Sequence, residues 1–292
     1  MNNERRPATE GILLKTSRSI GRGTVLVSDG ELKYIKFDCL KKYEDSLIHC
    51  MSTRDGGVSS GECSTLNLGF KRKDTRENIL ANYGILCDSL GIDTGSLVLT
   101  NQVHDTKVAF VDEKDKGKGF SRESDIIGID GLATVTPGIT LVTSHADCVP
   151  VFLYEPVVKA AALIHSGWRG TLDNIVSNGV KRLREVPGFC AERLVAVMGP
   201  SIGSCCFEVD EDVFSLFANN FENEAFYRKT GEKKWNIDLQ GIIQEELLKE
   251  GLVLENIHNC GICTKCRKDL FFSYRGDEGR TGSLAAFMQI RA

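Results

Sequence analysis

The sequence predicts an α+β fold with largely antiparallel strand pairing, on three observations. Short strand-like runs recur along the chain, fewer stretches carry helical spacing, and the strands come in clusters rather than in strict alternation with helices. In order, TVLV from Thr24, KYIKF from Lys33 and SLIHCM from Ser46 are brief apolar and β-branched runs bounded by polar or glycine positions, as strands are. Ile79, Tyr83, Leu86 and Leu90 then repeat at intervals of four, three and four, which gathers them on one side of a helix. SLVLT from Ser96 and KVAFV from Lys107 return to strand. Residues 112–125, DEKDKGKGFSRESD, are charged and broken by glycine, and read as a mobile surface loop. ITLVT from Ile139, PVFLY from Pro150 and KAAALI from Lys159 form a second cluster of strands, followed by helical spacing at Val176, Val180 and Leu183 after Asp173. RLVAVM from Arg193 is a strand, Val213, Phe217 and Phe221 mark a helix, and Leu239, Ile243 and Leu247 mark another, with Asn236 and Asp238 as candidate caps. LAAFMQI from Leu284 is the last strand, and no internal repeat interrupts the series.

Composition narrows the function. The chain has 292 residues, with 40 acidic against 36 basic and 41% hydrophobic, which excludes disordered, collagenous and coiled-coil classes. A formal charge of -4 offers no long-range attraction to a phosphate backbone or an anionic membrane, so no nucleic-acid or membrane partner is expected. The opening MNNERRPATEGILLKT lacks the apolar segment of an export signal, and no later run reaches the roughly 18 apolar residues of a membrane span. A cytoplasmic protein is expected. Eleven cysteines in such a chain then read as reduced thiols: buried hydrophobes, metal ligands or nucleophiles rather than a disulfide framework.

The chemistry concentrates in SHADCVPVFLYEPVVKAAALIHSGWRG, residues 144–170. Two apolar strands flank the connection Glu155 to Val158, where Pro156 suits a turn. If Tyr154 pairs with Lys159, Cys148 falls directly across from His165 on one face, and a two-residue slip leaves the two as diagonal neighbours. His145 would face the other way if the strand extends to it. A thiolate beside an imidazole serves either as a metal site or as a nucleophile with its base. His165 also opens HSGWRGT, a glycine-flanked turn into the helix expected from about Leu172, where free amides and Arg169 favour an anion. His104 ends the NQVH segment, between two strand-like runs.

STRDGGVSSGECSTLNLG at 52–69, NQVH at 101–104, DGLATVTPGITLVTSHADC at 130–148, HSGWRGT at 165–171, MGPSIGSCCFEV at 198–209, NIDL at 236–239 and FFSYRGDEGRTG at 271–282 occur in this order across nearly the whole chain. Together they resemble the polyphenol oxidase or laccase-domain family, better described as multifunctional purine nucleoside phosphorylases. The resemblance implies a single domain over 1–292 with a β-sandwich core covered by helices, layered α/β/β/α. It also implies a zinc or copper site made by His104, Cys148 and His165. Its substrates would be adenosine, inosine or guanosine with phosphate as co-substrate, and adenosine deamination would accompany phosphorolysis.

Histidine arithmetic limits the oxidase half of that name. A blue-copper site with a trinuclear cluster needs roughly ten histidines, whereas this chain has five, so a copper polyphenol oxidoreductase could only be mononuclear. One cysteine and two histidines leave a fourth position open, as in catalytic zinc, where bound water is acidified enough to attack C6 of adenosine. HADC lacks the PCxxC partner and the spaced glutamate of cytidine deaminases, which leaves Asp147 as an acid/base or an orienting group.

Phosphorolysis asks for a cationic clamp on phosphate. Arg54, in TRDGG, and Arg169 are the candidates, with Arg275 and Arg280 behind them. The alternative reading is a cysteine hydrolase or deamidase with Cys148 as nucleophile and His165 as base. Cys260, Cys263 and Cys266 recur every third residue in NCGICTKC and read as free thiols, or as half of a zinc ribbon that His258 or Cys39 would have to complete. Cys205 and Cys206, being adjacent, are expected to point apart.

Overall fold

The computed structural model describes residues 15–291, so the reading of the chain's first fourteen residues lies outside it. All ten expected strands form, within a mixed α+β architecture. Two large sheets carry them. One runs, in spatial order, Thr16–Gly21, Thr24–Asp29, Leu32–Phe37, Leu47–Ser52, Leu284–Ile290, Thr140–His145 and Leu97–Leu99. The other runs Ile257–Asn259, Val195–Met198, Val149–Glu155, Ala160–Ser166, Gly131–Thr134 and Val108–Phe110. Most strand pairings are antiparallel; Leu97–Leu99, Val108–Phe110 and Ile257–Asn259 each pair in parallel with a neighbour.

The expected layering follows from side chains alternating along strands that are buried on both faces. In Val149–Glu155, Phe152 and Tyr154 point into a core shared with Leu141, Ala286 and Met288 of the first sheet. Val151 and Leu153 point the other way, onto Val176, Val180, Ile243 and Leu247 of the helices Ile175–Arg184 and Leu239–Lys249. Ala285 and Phe287 of the first sheet's central strand pack on Ile79, Tyr83 and Leu86 of the helix Arg76–Leu90. Each expected helix exists. Thr75 caps Arg76–Leu90 by accepting the Asn78 amide, and Asp238 caps Leu239–Lys249 by accepting that of Gly241.

Four local expectations change. Ala160 pairs with Glu155, so Tyr154 meets Ala161 rather than Lys159, and His165 lies opposite Pro150. The buried Glu155 carboxylate accepts the amides of Val157 and Val158 and so closes the turn one residue later than proline alone suggested. This is the two-residue slip that preserves facing, and Cys148 and His165 stay diagonal neighbours. The chain after His165 turns helical at Trp168–Leu172, earlier than expected, and the next helix, Ile175–Arg184, starts after Asn174. Residues 112–125 are anchored, not free: Phe120 is buried against Tyr83, and Lys118 bridges Asp115 and Asp125. The unforeseen strands include the wholly buried Gly131–Thr134 and the more polar Glu208–Asp210, Tyr227–Gly231 and Lys234–Ile237, which make a small third sheet. Among the described residues no helix is long and apolar enough to cross a membrane.

Candidate metal centre and its cavity

Where Thr140–His145 and Val149–Glu155 meet, the chain bends through Ala146, Asp147 and Cys148. Asp147 takes φ 89°, a left-handed conformation unusual for a residue with a side chain. The bend is fixed from outside. Thr264 Oγ1 donates to Asp147 Oδ1 at 2.6 Å, the Arg275 amide to Oδ2 at 2.7 Å, and the Ile202 amide to the Asp147 carbonyl at 2.8 Å. Strict alternation, which would have sent Asp147 and Cys148 to opposite faces, is therefore broken, and both line one cavity.

His104 arrives from a different loop. Gln102 bonds both the amide and the carbonyl of Ser144 and so fastens NQVH to the neighbouring strand. His104 itself sits at φ 64°, and the amides of Val103, His104 and Asp105 all donate to the Asp130 carboxylate, at 2.9, 3.0 and 3.1 Å. That fully buried carboxylate also holds His165 Nδ1 at 2.8 Å. Burial would raise the Asp130 pKa, but His165 and the amides outweigh it and hold the carboxyl below its usual range. Asp130 was not among the expected site residues. The only sequence hint was its position at the head of the DGLATV strand.

With Nδ1 committed to Asp130, His165 presents Nε2. The ligating atoms of His104, Cys148 and His165 all lie within 4.8 Å of one another, with His104 Nε2 3.8 Å from Cys148 Sγ. Burial would push the Cys148 thiol up, yet the His165 charge and hydrogen bonds from both histidines bring it down to about 6. Burial likewise would lower His165, but the Cys148 thiolate and Asp130 raise it to about 9. Gly167 leaves the space between the ligands open: a Cβ there would stand 2.8 Å from His104 Cδ2 and 3.1 Å from Cys148 Sγ. One thiolate and two imidazoles around a cradle that a methyl group would fill suit a divalent ion such as zinc on bonds of about 2.0 to 2.3 Å. His145 also lines the cavity, its ring 5.3 Å from that of His165, but it is outside the three-ligand cluster and is held by Thr143 and the Cys148 carbonyl.

The surrounding cavity has a volume of about 670 Å³. Phe70, Trp168, Phe207 and Tyr274 line it with aromatic rings, and Lys71, Arg72, Arg169 and Arg275 with cations. Arg169 stacks on Trp168, and Arg72 donates from Nε to Ser283 at 2.7 Å. Arg54, expected as a phosphate clamp, is placed elsewhere. Its guanidinium donates to the carbonyls of Ser64 and Lys268 and packs over Phe272, and it is not among the cavity's lining residues. Arg280, paired with Glu62, is also outside.

Residues 48–291 match the family model described as multi-copper polyphenol oxidoreductase laccase. Among curated relatives, the purine nucleoside phosphorylase YlmD of Bacillus subtilis is 32% identical over 243 residues, covering 82% of this chain and 87% of the relative. A purine nucleoside phosphorylase of Bacteroides thetaiotaomicron is 32% identical over 261 residues, covering 88% and 96%. The crystal structure of YlmD from Geobacillus stearothermophilus superposes with a TM-score of 0.84 at 28% identity, covering 91% of this chain and 98% of that one.

Proposed function

The chain belongs to the multi-copper polyphenol oxidoreductase laccase family, and from that membership and the cavity's chemistry we propose that it phosphorolyses purine nucleosides and deaminates adenosine. The observation that carries this reading is that three metal-ligating side chains share one cavity with four cationic and four aromatic ones. A flat purine packs against aromatic rings, and phosphate is held by guanidinium forks.

In phosphorolysis of adenosine, inosine or guanosine, a phosphate oxygen bonds to C1′ as the C1′–N9 bond breaks. The purine leaves with a proton, and ribose 1-phosphate remains. Arg72 and Arg169 are assigned to phosphate, Arg72 because its Nε anchor on Ser283 fixes the guanidinium. Asp147 acts as a positioning residue: both of its oxygens already accept bonds, and one of them sets the backbone of Arg275. His104, Cys148 and His165 would hold a zinc ion. Bound there, the ion supplies a Lewis acid with an open coordination position, as activation of water toward C6 of adenosine requires. Asp130 keeps the His165 proton on Nδ1 and leaves Nε2 as the ligand.

The test is incubation of protein of known metal content with inosine and with adenosine, with and without phosphate. Ribose 1-phosphate and hypoxanthine should appear from inosine only with phosphate, and inosine should appear from adenosine in either case. Base release independent of phosphate, or no turnover, would overturn the reading. A second reading, a cysteine hydrolase, is supported by a thiol set between two imidazoles, one of them held by a buried carboxylate. Under that reading an amide or ester substrate is turned over undiminished after chelation, and a covalent acyl group is found on Cys148.

A further inference from the structure

Cys205, Cys206, Cys263 and Cys266 bring four sulfur atoms within 4.8 Å of one another, and none of the four lines the cavity around His104, Cys148 and His165. Cys206 Sγ lies 3.5 Å and Cys205 Sγ 3.7 Å from Cys266 Sγ. Four thiolates on a tetrahedral zinc ion, with bonds of about 2.3 Å, stand roughly 3.8 Å apart.

Sequence spacing alone pointed elsewhere. Adjacent cysteines diverge on an extended segment, but Cys205 and Cys206 lie in a turn, where the Cys206 and Phe207 amides both donate to the Gly203 carbonyl. Cys260 is buried in the core between the two large sheets instead of joining the cluster, and neither His258 nor Cys39 belongs to it. The two cysteine pairs are brought together by Ser201, whose amide donates to the Ile262 carbonyl and whose carbonyl accepts the Thr264 amide. At Gly203 a Cβ would stand 3.3 Å from both Cys205 Sγ and Cys263 Cβ, so the bare backbone lets the two loops close.

We propose that these four cysteines form a second metal site, a structural zinc centre distinct from the Cys/His/His site. Four soft ligands close the coordination shell and leave no position for substrate, the mark of a structural ion. The loops it would join carry Ile202 and Phe207, which line the cavity, and Thr264, which holds Asp147. The ion locks the cavity wall through contacts that the active-site metal does not touch.

The test uses full-length Cys148→Ala protein, in which the active-site thiolate is gone, with cobalt(II) as the probe and reductant present throughout. About one cobalt per chain is expected, with the intense thiolate-to-cobalt charge-transfer band and visible d–d bands of a tetrahedral tetrathiolate. As purified, the same protein should hold about one zinc. Adding Cys266→Ser, at an exposed position, should abolish the spectrum and the zinc, and Cys266→His should restore a shifted tetrahedral spectrum. In otherwise unaltered protein, chelation should speed alkylation of Cys205, Cys206, Cys263 and Cys266 together. No charge-transfer band, zinc well below one per chain, an intact mass showing a disulfide between these residues, or alkylation unchanged by chelator would each overturn the proposal.

Discussion

Asp130 Oδ1 lies 2.8 Å from His165 Nδ1, and the same oxygen accepts the His104 backbone amide at 3.0 Å. One buried carboxylate thus orients one imidazole directly and holds the loop that presents the other. Asp130→Asn keeps the shape but places an amide N–H where an acceptor is needed. Metal affinity should fall about 10 to 100-fold, as for other groups behind metal-bound histidines. Chelator competition measures this, and unchanged affinity would mean that the ligands are held by packing alone.

Gly167 offers a steric test that leaves charge untouched. Its φ of -77° suits alanine, so Gly167→Ala adds a methyl group without backbone strain, but 2.8 Å from His104 Cδ2 and 3.1 Å from Cys148 Sγ. Metal retention and deamination should drop together while the thermal midpoint of the metal-free protein barely moves. Full retention of metal would place the ion outside this cradle.

Arg72 and Arg54 should separate cleanly. Arg72→Ala should lower kcat/KM for phosphate by roughly 10 to 100-fold, the loss of one charge-assisted contact, and Arg72→Lys should recover only part of it. Arg54→Ala should leave the phosphate KM alone and lower stability by about 1 to 3 kcal/mol, because three donor contacts to carbonyls and a stack on Phe272 are removed. Steady-state kinetics and thermal melts on both variants decide it, and a raised phosphate KM in Arg54→Ala would return that residue to the site.

Glu246 predicts a pH dependence of stability. Its carboxyl oxygens are buried and have no hydrogen-bond partner among the described residues, and burial pushes its pKa up from 4.5 to about 8. Between those values the folded chain keeps a proton that the unfolded chain has released, so stability falls as pH rises from about 4.5 through 8. Glu246→Gln should remove that slope and stabilise the protein above pH 8 by about 2 to 4 kcal/mol. Denaturant melts from pH 5 to 9 would show it, and parallel curves for the two proteins would refute it.

The sequence by itself determined the ten apolar strands, the long helices and the pairing of one thiol with one imidazole. Period-two and period-3.6 burial are local properties, and a hairpin preserves facing through a two-residue slip, so Cys148 and His165 stayed together although the turn was misplaced. Only the tertiary structure decided the rest. His104 at φ 64° and Asp147 at φ 89° adopt conformations that no periodicity encodes, held by a carboxylate 26 residues away in one case and a threonine 117 residues away in the other. Arg54 and Arg72 are alike as letters in glycine-containing loops. What separates them is which carbonyls happen to lie within reach: Arg54 is used up on Ser64 and Lys268, whereas Arg72 is anchored through one nitrogen at the cavity wall. The cysteine pairs, some sixty residues apart, meet because hydrogen bonds through Ser201 draw two loops together, a long-range closure that local spacing does not specify.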